Sequence, residues 1–260
     1  VFLNQYLLDL LLLRGKLMEH NNSIDVSKKK AKVYLFGSIH YKLNTNPNYT
    51  MDHIIELINA IAPDIIAIEI VKEHMGLKKE KLYQLYPPEF PEVMSIFEST
   101  KIILPFNWIP QEQKENRQTF LNERKKVTSE LHLMKRKRGE TQFLDLLNKS
   151  LDTITSYGTV DDVNSLTWDQ LVYLKRQFEL SIIEGTKFKE KFLYYSGYLN
   201  PVRISAINNN IKSIIDENKD KKIVILTGAM HRWHIVPFIK KNIPHIDFQS
   251  VSTKNLIDNS

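Results

Sequence analysis

The chain has no cysteine among its 260 residues. That excludes disulfides, thiol nucleophiles and cysteine-ligated zinc, so any bound metal has to be held by His, Asp or Glu. No apolar run reaches the roughly 20 residues that span a bilayer. The best candidate, residues 2–13, is interrupted by Asn4, Gln5 and Asp9, and it has no leading positive charge of the signal-peptide kind, since Arg14 follows it. Residues 1–17 read as a leader remnant or an added segment, an amphipathic helix suited to packing on a partner. Residues 1–31 together form a leader or flexible lead-in, rich in lysine at Lys28-Lys29-Lys30, and residues 253–260 form a tail. No transmembrane segment is expected. The expected location is cytoplasmic, with a peripheral membrane or exported form left open.

Acidic residues are the scarcer charge: 30 Asp and Glu stand against 36 Lys and Arg, a formal net charge of +6. Much of the excess is local, in Arg124-Lys125-Lys126 and Lys135-Arg136-Lys137-Arg138. No aromatic residues interleave these clusters to stack bases, so they read as a solvated helix face and not as a nucleic-acid partner site. Oligomeric state is not legible. With 42% hydrophobic and 25% charged residues, the composition is that of a globular chain long enough to bury a core without a staple.

Glycine is also scarce, with eight in the chain, yet two of them occupy the same device. Lys32-Val33-Tyr34-Leu35-Phe36 is an apolar run followed by Gly37-Ser38-Ile39-His40. Ile223-Val224-Ile225-Leu226-Thr227 is followed by Gly228-Ala229-Met230-His231. Both read as a buried strand that turns off at a glycine and presents a histidine just beyond its end. The glycine permits a sharp turn and the close approach of a ligand or of the other copy. A third run, residues 65–70, reads as a strand covered on both faces and carries Glu69, which must have a partner because an unpaired buried carboxylate costs several kcal/mol.

The rest of the chain supplies the frame. Strands are expected over 33–36, 65–70, 101–106, 223–227 and 248–251. Thr50 is placed to cap a helix over 51–61 with Ile54, Leu57, Ile58 and Ile61 on one face. The first strand, that helix and the second strand read as a βαβ unit. Residues 71–100 read as irregular and helical. From about 111 to 200 the strand signal vanishes, and long charged helices over 111–138, 141–151 and 168–184 read as a helical insertion over the strand ends. In the last of these, Thr167 and Gln170 have capping-box spacing and Leu171, Leu174 and Phe178 form an apolar stripe. Phe188, Phe192, Tyr194, Tyr195 and Tyr198 read either as core or as a pocket wall. Asn200-Pro201 starts a helix with Ile204, Ile207, Ile211 and Ile214 buried, and with Arg203 and Asn210 near one face. The fold class expected is α/β: a mostly parallel central sheet with duplicated strand-GxxH units, flanking helices and a helical insertion, over residues 32–252.

In open parallel sheets, ligands bind beyond the carboxyl ends of the strands, where His40, Glu69 and His231 fall. Two histidines and a carboxylate suit a hydrolytic metal centre, and histidine also serves as a general base near neutral pH. His234 is a further ligand or a packing residue. Glu69 is a ligand, a base or the partner of Arg203 or a lysine. Ser38 beside His40 suggests a nucleophile, but no Gly-x-Ser-x-Gly elbow is present. His20, His53, His74, His132 and His245 have no supporting context.

Gly37-Ser38-Ile39-His40, the strand ending in Glu69, Arg203 in the helix before the second motif, and Gly228-Ala229-Met230-His231, in that order, resemble the TraB/TIKI group, in a wider clan with ChaN-like haem-uptake and erythromycin-esterase-like proteins. The resemblance implies a metal-dependent hydrolase of an amide, peptide or ester bond. It carries His40, Glu69, Arg203 and His231 over as catalytic; with His234 as the further ligand read from the residues, the expected ligands of a divalent metal ion are His40, Glu69, His231 and His234. It leaves as the alternative a non-catalytic protein that sequesters a peptide or haem. The substrate or partner implied is a peptide or small molecule. Arg232-Trp233-His234 after the second motif departs from the pattern, where an apolar or small residue is usual.

Overall fold

The computed structural model describes residues 30–138 and 141–251. The expectations for the leader and the tail lie outside these residues. Five strands, β1 (Lys32–Ser38), β2 (Ile65–Ile68), β3 (Ile102–Pro105), β4 (Lys222–Gly228) and β5 (Asp247–Ser250), form one sheet. All pairs are parallel, in the order β3-β2-β4-β1-β5. The expected α/β class with a parallel sheet is what the chain adopts. β1, helix α1 (Met51–Ile61) and β2 form the expected crossover between parallel strands of one sheet, with β4 lying between the two strands. The two strands that carry the GxxH motifs are therefore direct neighbours, with Gly37 opposite Thr227 and Ser38 opposite Gly228.

Helices cover both faces, which is why the strands are nearly all apolar. On one face Phe36, Ile66, Ile68, Val224 and Leu226 pack with Ile54, Leu57, Ile58 and Ile61 of α1. On the other, Val33, Leu35, Ile65, Ala67, Ile223 and Ile225 pack with two late helices. The alternation follows from the period of two along each strand. Each fully buried Ile or Leu contributes about 1.5–3 kcal/mol. Between β2 and β3 lie the short helices α2 (Lys79–Leu85) and α3 (Glu89–Phe97).

The insertion follows β3. The single helix expected over 111–138 is two, α4 (Gln111–Glu115) and α5 (Arg117–Arg138), because the Asn116 side chain turns to accept the Thr119 amide at 3.1 Å and starts a new helix. Next, α6 (Thr141–Tyr157) runs beyond the expected 151. It is followed by α7 (Val160–Val163) and α8 (Leu166–Ile183). Ser165, not Thr167, caps α8, its hydroxyl accepting the Trp168 amide at 3.1 Å. Thr167 already lies inside the helix, so its box with Gln170 does not form. The expected stripe of α8 is also displaced. Leu174 is 41% exposed, and the buried face holds Trp168, Val172, Ile182 and Ile183 together with Asp169, Arg176 and Glu179. Among the segment aromatics, Phe188 and Phe192, the latter in α9 (Lys189–Tyr195), are core with Val127 and Leu131 of α5.

The late helices are α10 (Pro201–Glu217) and α11 (Arg232–Asn242). Asn200 caps α10 by accepting the Val202 and Arg203 amides, a contact type worth about 1 kcal/mol. Ile207, Ile211, Ile214 and Ile215 make its buried stripe, while Ile204 is half-buried. α11 begins with Arg232, which is 1% exposed. Its guanidinium is bidentate to Asp169, with Nε to Oδ1 and Nη2 to Oδ2 both at 3.0 Å, and it also donates to Asn164 and to the Ser250 hydroxyl. The unexpected arginine after the second motif therefore ties α8 to the carboxyl edge of the sheet. Among the described residues, no helix is long and apolar enough to cross a membrane.

Candidate active site at the carboxyl ends of the central strands

The two motif glycines have one physical purpose. A Cβ on Gly37 would stand 2.6 Å from the Ala229 Cα and the Arg232 Cδ. A Cβ on Gly228 would stand 2.6 Å from the His40 Nε2. Each glycine is thus the place where the other copy of the motif approaches. Gly37 is fixed further by its amide donating to Asn164 Oδ1 at 2.7 Å and its carbonyl accepting from Tyr49 Oη at 2.8 Å. Ser38 is buried, and its hydroxyl accepts the His40 amide at 3.0 Å. That makes it a turn former.

His40 has φ of 56°, in the left-handed region that costs a non-glycine residue about 1 kcal/mol or more. The strain aims its ring at Glu89. His40 Nδ1 lies 2.6 Å from Glu89 Oε1, and Glu89 is fully buried while the His40 side chain keeps 31% of its surface open. Glu89 Oε2 has no hydrogen-bond partner among the described residues. Burial disfavours the charged imidazole, but the hydrogen bond and charge of Glu89, with Glu69 adding, outweigh it and hold the His40 pKa above its ordinary value. Glu89 was not legible from sequence. The only local signal is a carboxylate set between Pro88 and Phe90-Pro91 at the start of an apolar helix.

Glu69 follows β2, which stops at Ile68 and not at 70 as expected. Its Oε2 accepts from the Thr227 hydroxyl at 2.7 Å and from the Gly228 amide at 2.9 Å. Its Oε1 accepts from Arg203 Nη2 at 2.9 Å, the partner expected for it. Arg203 has further acceptors for its other donors: the Trp108 and Gly197 carbonyls, Asn107 Oδ1 at 2.8 Å, and His231 Nε2 at 3.1 Å. His231 Nε2 also stands 3.2 Å from Glu69 Oε1; in the neutral tautomer with its hydrogen on Nδ1, Nε2 accepts from the guanidinium, which can only donate. The His231 Nδ1 hydrogen then points to His234 Nε2 at 3.2 Å, and the His234 Nδ1 hydrogen to Asn208 Oδ1 at 3.1 Å. Neutral rings fit this chain. Burial, then Arg203, pushes the His231 pKa well below the ordinary range. Burial, then His231 and Arg203, does the same for His234.

His40, Glu69, Arg203 and His231 line one cavity of about 750 Å³. His234 stands behind His231 and does not line it. Tyr194, Tyr195 and Tyr198 do, so the aromatic segment divides into two core phenylalanines and three wall tyrosines. His74, which had no context in the sequence, reaches the same cavity, its Nδ1 2.7 Å from Tyr86 Oη. Of the basic clusters, Lys125, Lys126 and Arg136 are solvated as expected. Arg124 and Lys135 are turned inward, which corrects that reading for these two residues. Arg124 lines the cavity over the Tyr198 ring, and no acceptor among the described residues is within hydrogen-bond reach of its guanidinium.

Apart from His40 Nε2, the lone pairs a divalent metal would need already have partners in this arrangement. Both Glu69 oxygens have donors, His231 Nε2 faces a guanidinium, and His40 Nδ1 faces Glu89. Among the described residues, no group of three or more His, Asp or Glu converges as a ligand set. As arranged, His40, Glu69, His231 and His234 do not fit that ion. No protein-family model, curated protein or solved structure matches the chain, so the geometry of the cavity is the ground for its chemistry.

Proposed function

We propose that the chain is a hydrolase of an ester or amide bond in a small molecule or short peptide, with His40 as general base and no metal in the chemical step. The observation that carries this is the His40–Glu89 pair: a strained histidine, open to a cavity and oriented from behind by a fully buried carboxylate. A non-glycine residue in the left-handed region costs about 1–3 kcal/mol, and such strain concentrates at functional sites. The motif resemblance to the TraB/TIKI group supports the same reaction class.

In this reading Glu89 accepts the Nδ1 hydrogen and fixes the tautomer that leaves Nε2 as the base. Nε2 takes a proton from water as the water oxygen attacks the substrate carbonyl carbon. The same proton then passes to the leaving oxygen or nitrogen as the scissile bond breaks, and His40 returns to neutral. Such base–acid work contributes about 10²–10⁴-fold. Arg203 is a positioning residue and not the oxyanion donor, because its donors already have acceptors. Arg124, with uncommitted donors at the cavity wall, is the group suited to the developing negative charge. Glu69 holds both motifs and Arg203 in register.

A second reading has one supporting observation, the wall of Tyr86, Tyr194, Tyr195 and Tyr198, which suits retention of a peptide or a porphyrin without turnover. One experiment separates the two. Purify the protein without a metal-affinity tag, measure bound metal, and assay a panel of chromogenic esters and peptide amides against wild type and His40→Gln. The hydrolase reading expects turnover at substoichiometric metal that falls by at least about 10²-fold in the variant. A folded His40→Gln protein as active as wild type would overturn it. A Soret shift on haem titration, with no turnover on the panel, would favour the second.

A further inference from the structure

A second cavity, of about 490 Å³, lies inside the helical insertion, between α5 and α8. Arg124 and the turn Ser196, Gly197 and Tyr198 border both cavities, so the two are neighbours across one wall. Its charge is unusual for an interior. Lys135 is 4% exposed and Arg176 5%, and Lys175 and Arg124 join them at the wall. Among the described residues, Glu179 is the only carboxylate lining it. Glu179 accepts from Arg176 Nη1 at 2.7 Å and stands 3.8 Å from Lys135 Nζ.

Four cations against one carboxylate leave an excess of positive charge that the described residues around the cavity do not balance; Asp145 acts on Lys135 only from outside the lining. Arg176 Nε is buried with no hydrogen-bond partner among the described residues. Buried guanidinium donors are normally satisfied, so an orphan beside a cavity points to an acceptor that arrives from outside. The Arg176 guanidinium is also held ready, 4.5 Å from the Tyr198 ring centroid. Burial pushes the Lys135 and Lys175 pKa values down, the direction an incoming anion would reverse.

We propose that this cavity binds a phosphoryl group. A carboxylate would offset one positive charge of the excess, whereas a phosphoryl dianion offsets two and offers the three acceptor oxygens that lysine and a guanidinium fork recognise. The remaining wall is mixed, with Val127, Leu131, Phe192 and Met230 beside the polar Thr128, His132, Asn148 and Ser196. That the phosphoryl belongs to the molecule hydrolysed at His40 rests on the reading above. Binding of the phosphoryl itself does not.

The test is calorimetric titration of pyrophosphate into the full chain at fixed ionic strength, with acetate as the control anion. Wild type is expected to bind pyrophosphate and not acetate. Lys175→Gln and Lys135→Met should each weaken binding by about tenfold or more, and the exposed Lys126→Gln should leave it unchanged. Because Lys135 is buried and its variant can fail to fold, the half-buried Lys175 carries the decision. Pyrophosphate bound no better than acetate, or bound equally well by Lys175→Gln, would overturn the proposal. So would displacement of pyrophosphate by a single-stranded oligonucleotide, which would place the phosphate on the outer face of α5. His40→Gln should bind pyrophosphate as wild type does. If no hydrolysis is found in any assay and that binding persists, only the hydrolase reading falls.

Discussion

His40 occupies the space that a side chain at Gly228 would need, its Nε2 2.6 Å from where the Cβ would stand. Gly37 is crowded differently, since one of its obstacles is the Ala229 backbone. The two glycine-to-alanine changes should therefore separate. Gly37→Ala meets main chain that cannot swing aside and should cost about 1–3 kcal/mol or more in a urea melt. Gly228→Ala should cost less stability, because a ring can tilt, but it misplaces the base and should lower turnover by about 10²-fold.

Glu89→Gln removes the charge and hydrogen bond that hold the His40 pKa up. In wild type, base activity should rise with pH through a midpoint above the ordinary 6.5. In Glu89→Gln the midpoint should move down and the plateau rate should fall, because the ring loses its orienting acceptor. The pH dependence of kcat/KM checks both. An unmoved midpoint would remove Glu89 from the mechanism.

Arg203→Met leaves Glu69 buried with donors on one oxygen only. Removing one partner of such a pair costs about 3–5 kcal/mol, and chemical denaturation should show it. Adding Glu69→Gln to that variant should recover part of the loss, because the uncompensated charge is gone. A double variant no more stable than the single would mean that Arg203 acts mainly through the Trp108 and Gly197 carbonyls.

Acid should destabilise the fold by a defined route. His231 and His234 have folded pKa values well below 6.5, so as pH falls below about 6.5 the unfolded chain binds protons first. Their stabilisation is present above that pH and is lost as pH drops toward the folded values. His40 has the opposite sign, stabilising below 6.5 and losing that contribution as pH rises through its raised folded value. The fall in Tm between pH 7.5 and 5.5 should shrink in His234→Gln, which keeps a side-chain amide between His231 and Asn208 but no longer titrates.

The strands, the pairing of the two glycines and the Glu69–Arg203 contact were legible because each leaves a local mark: a β-branched run, a repeated spacing, a charge where a core strand allows none. Glu89 leaves none. Its burial comes from where α3 docks, and a glutamate at a helix start reads as a solvent-facing dipole partner. Arg124 and Lys135 sit inside basic runs in which Lys125, Lys126 and Arg136 are solvated, and only the partner helix decides which side chains turn in. The α8 start was misplaced for a related reason: Ser165 and Thr167 are both acceptable caps, and the local chain does not rank them. Arg232 was visible as a departure from a pattern, but its task depends on Asp169, 63 positions earlier.

The order β3-β2-β4-β1-β5 places the last but one strand at the centre of the sheet. During synthesis β1 and β2 emerge early, and β2 gains β3 as a neighbour by residue 105, but β1 has no partner and β2 keeps one open edge until residues 222–228 arrive between them. His40 likewise has no Gly228 to rest on, and Glu69 no Thr227, until then. A nascent or prematurely terminated chain would hold two apolar strands with open edges, a state prone to aggregation. The candidate site would thus come into being late, in the same event that closes the sheet.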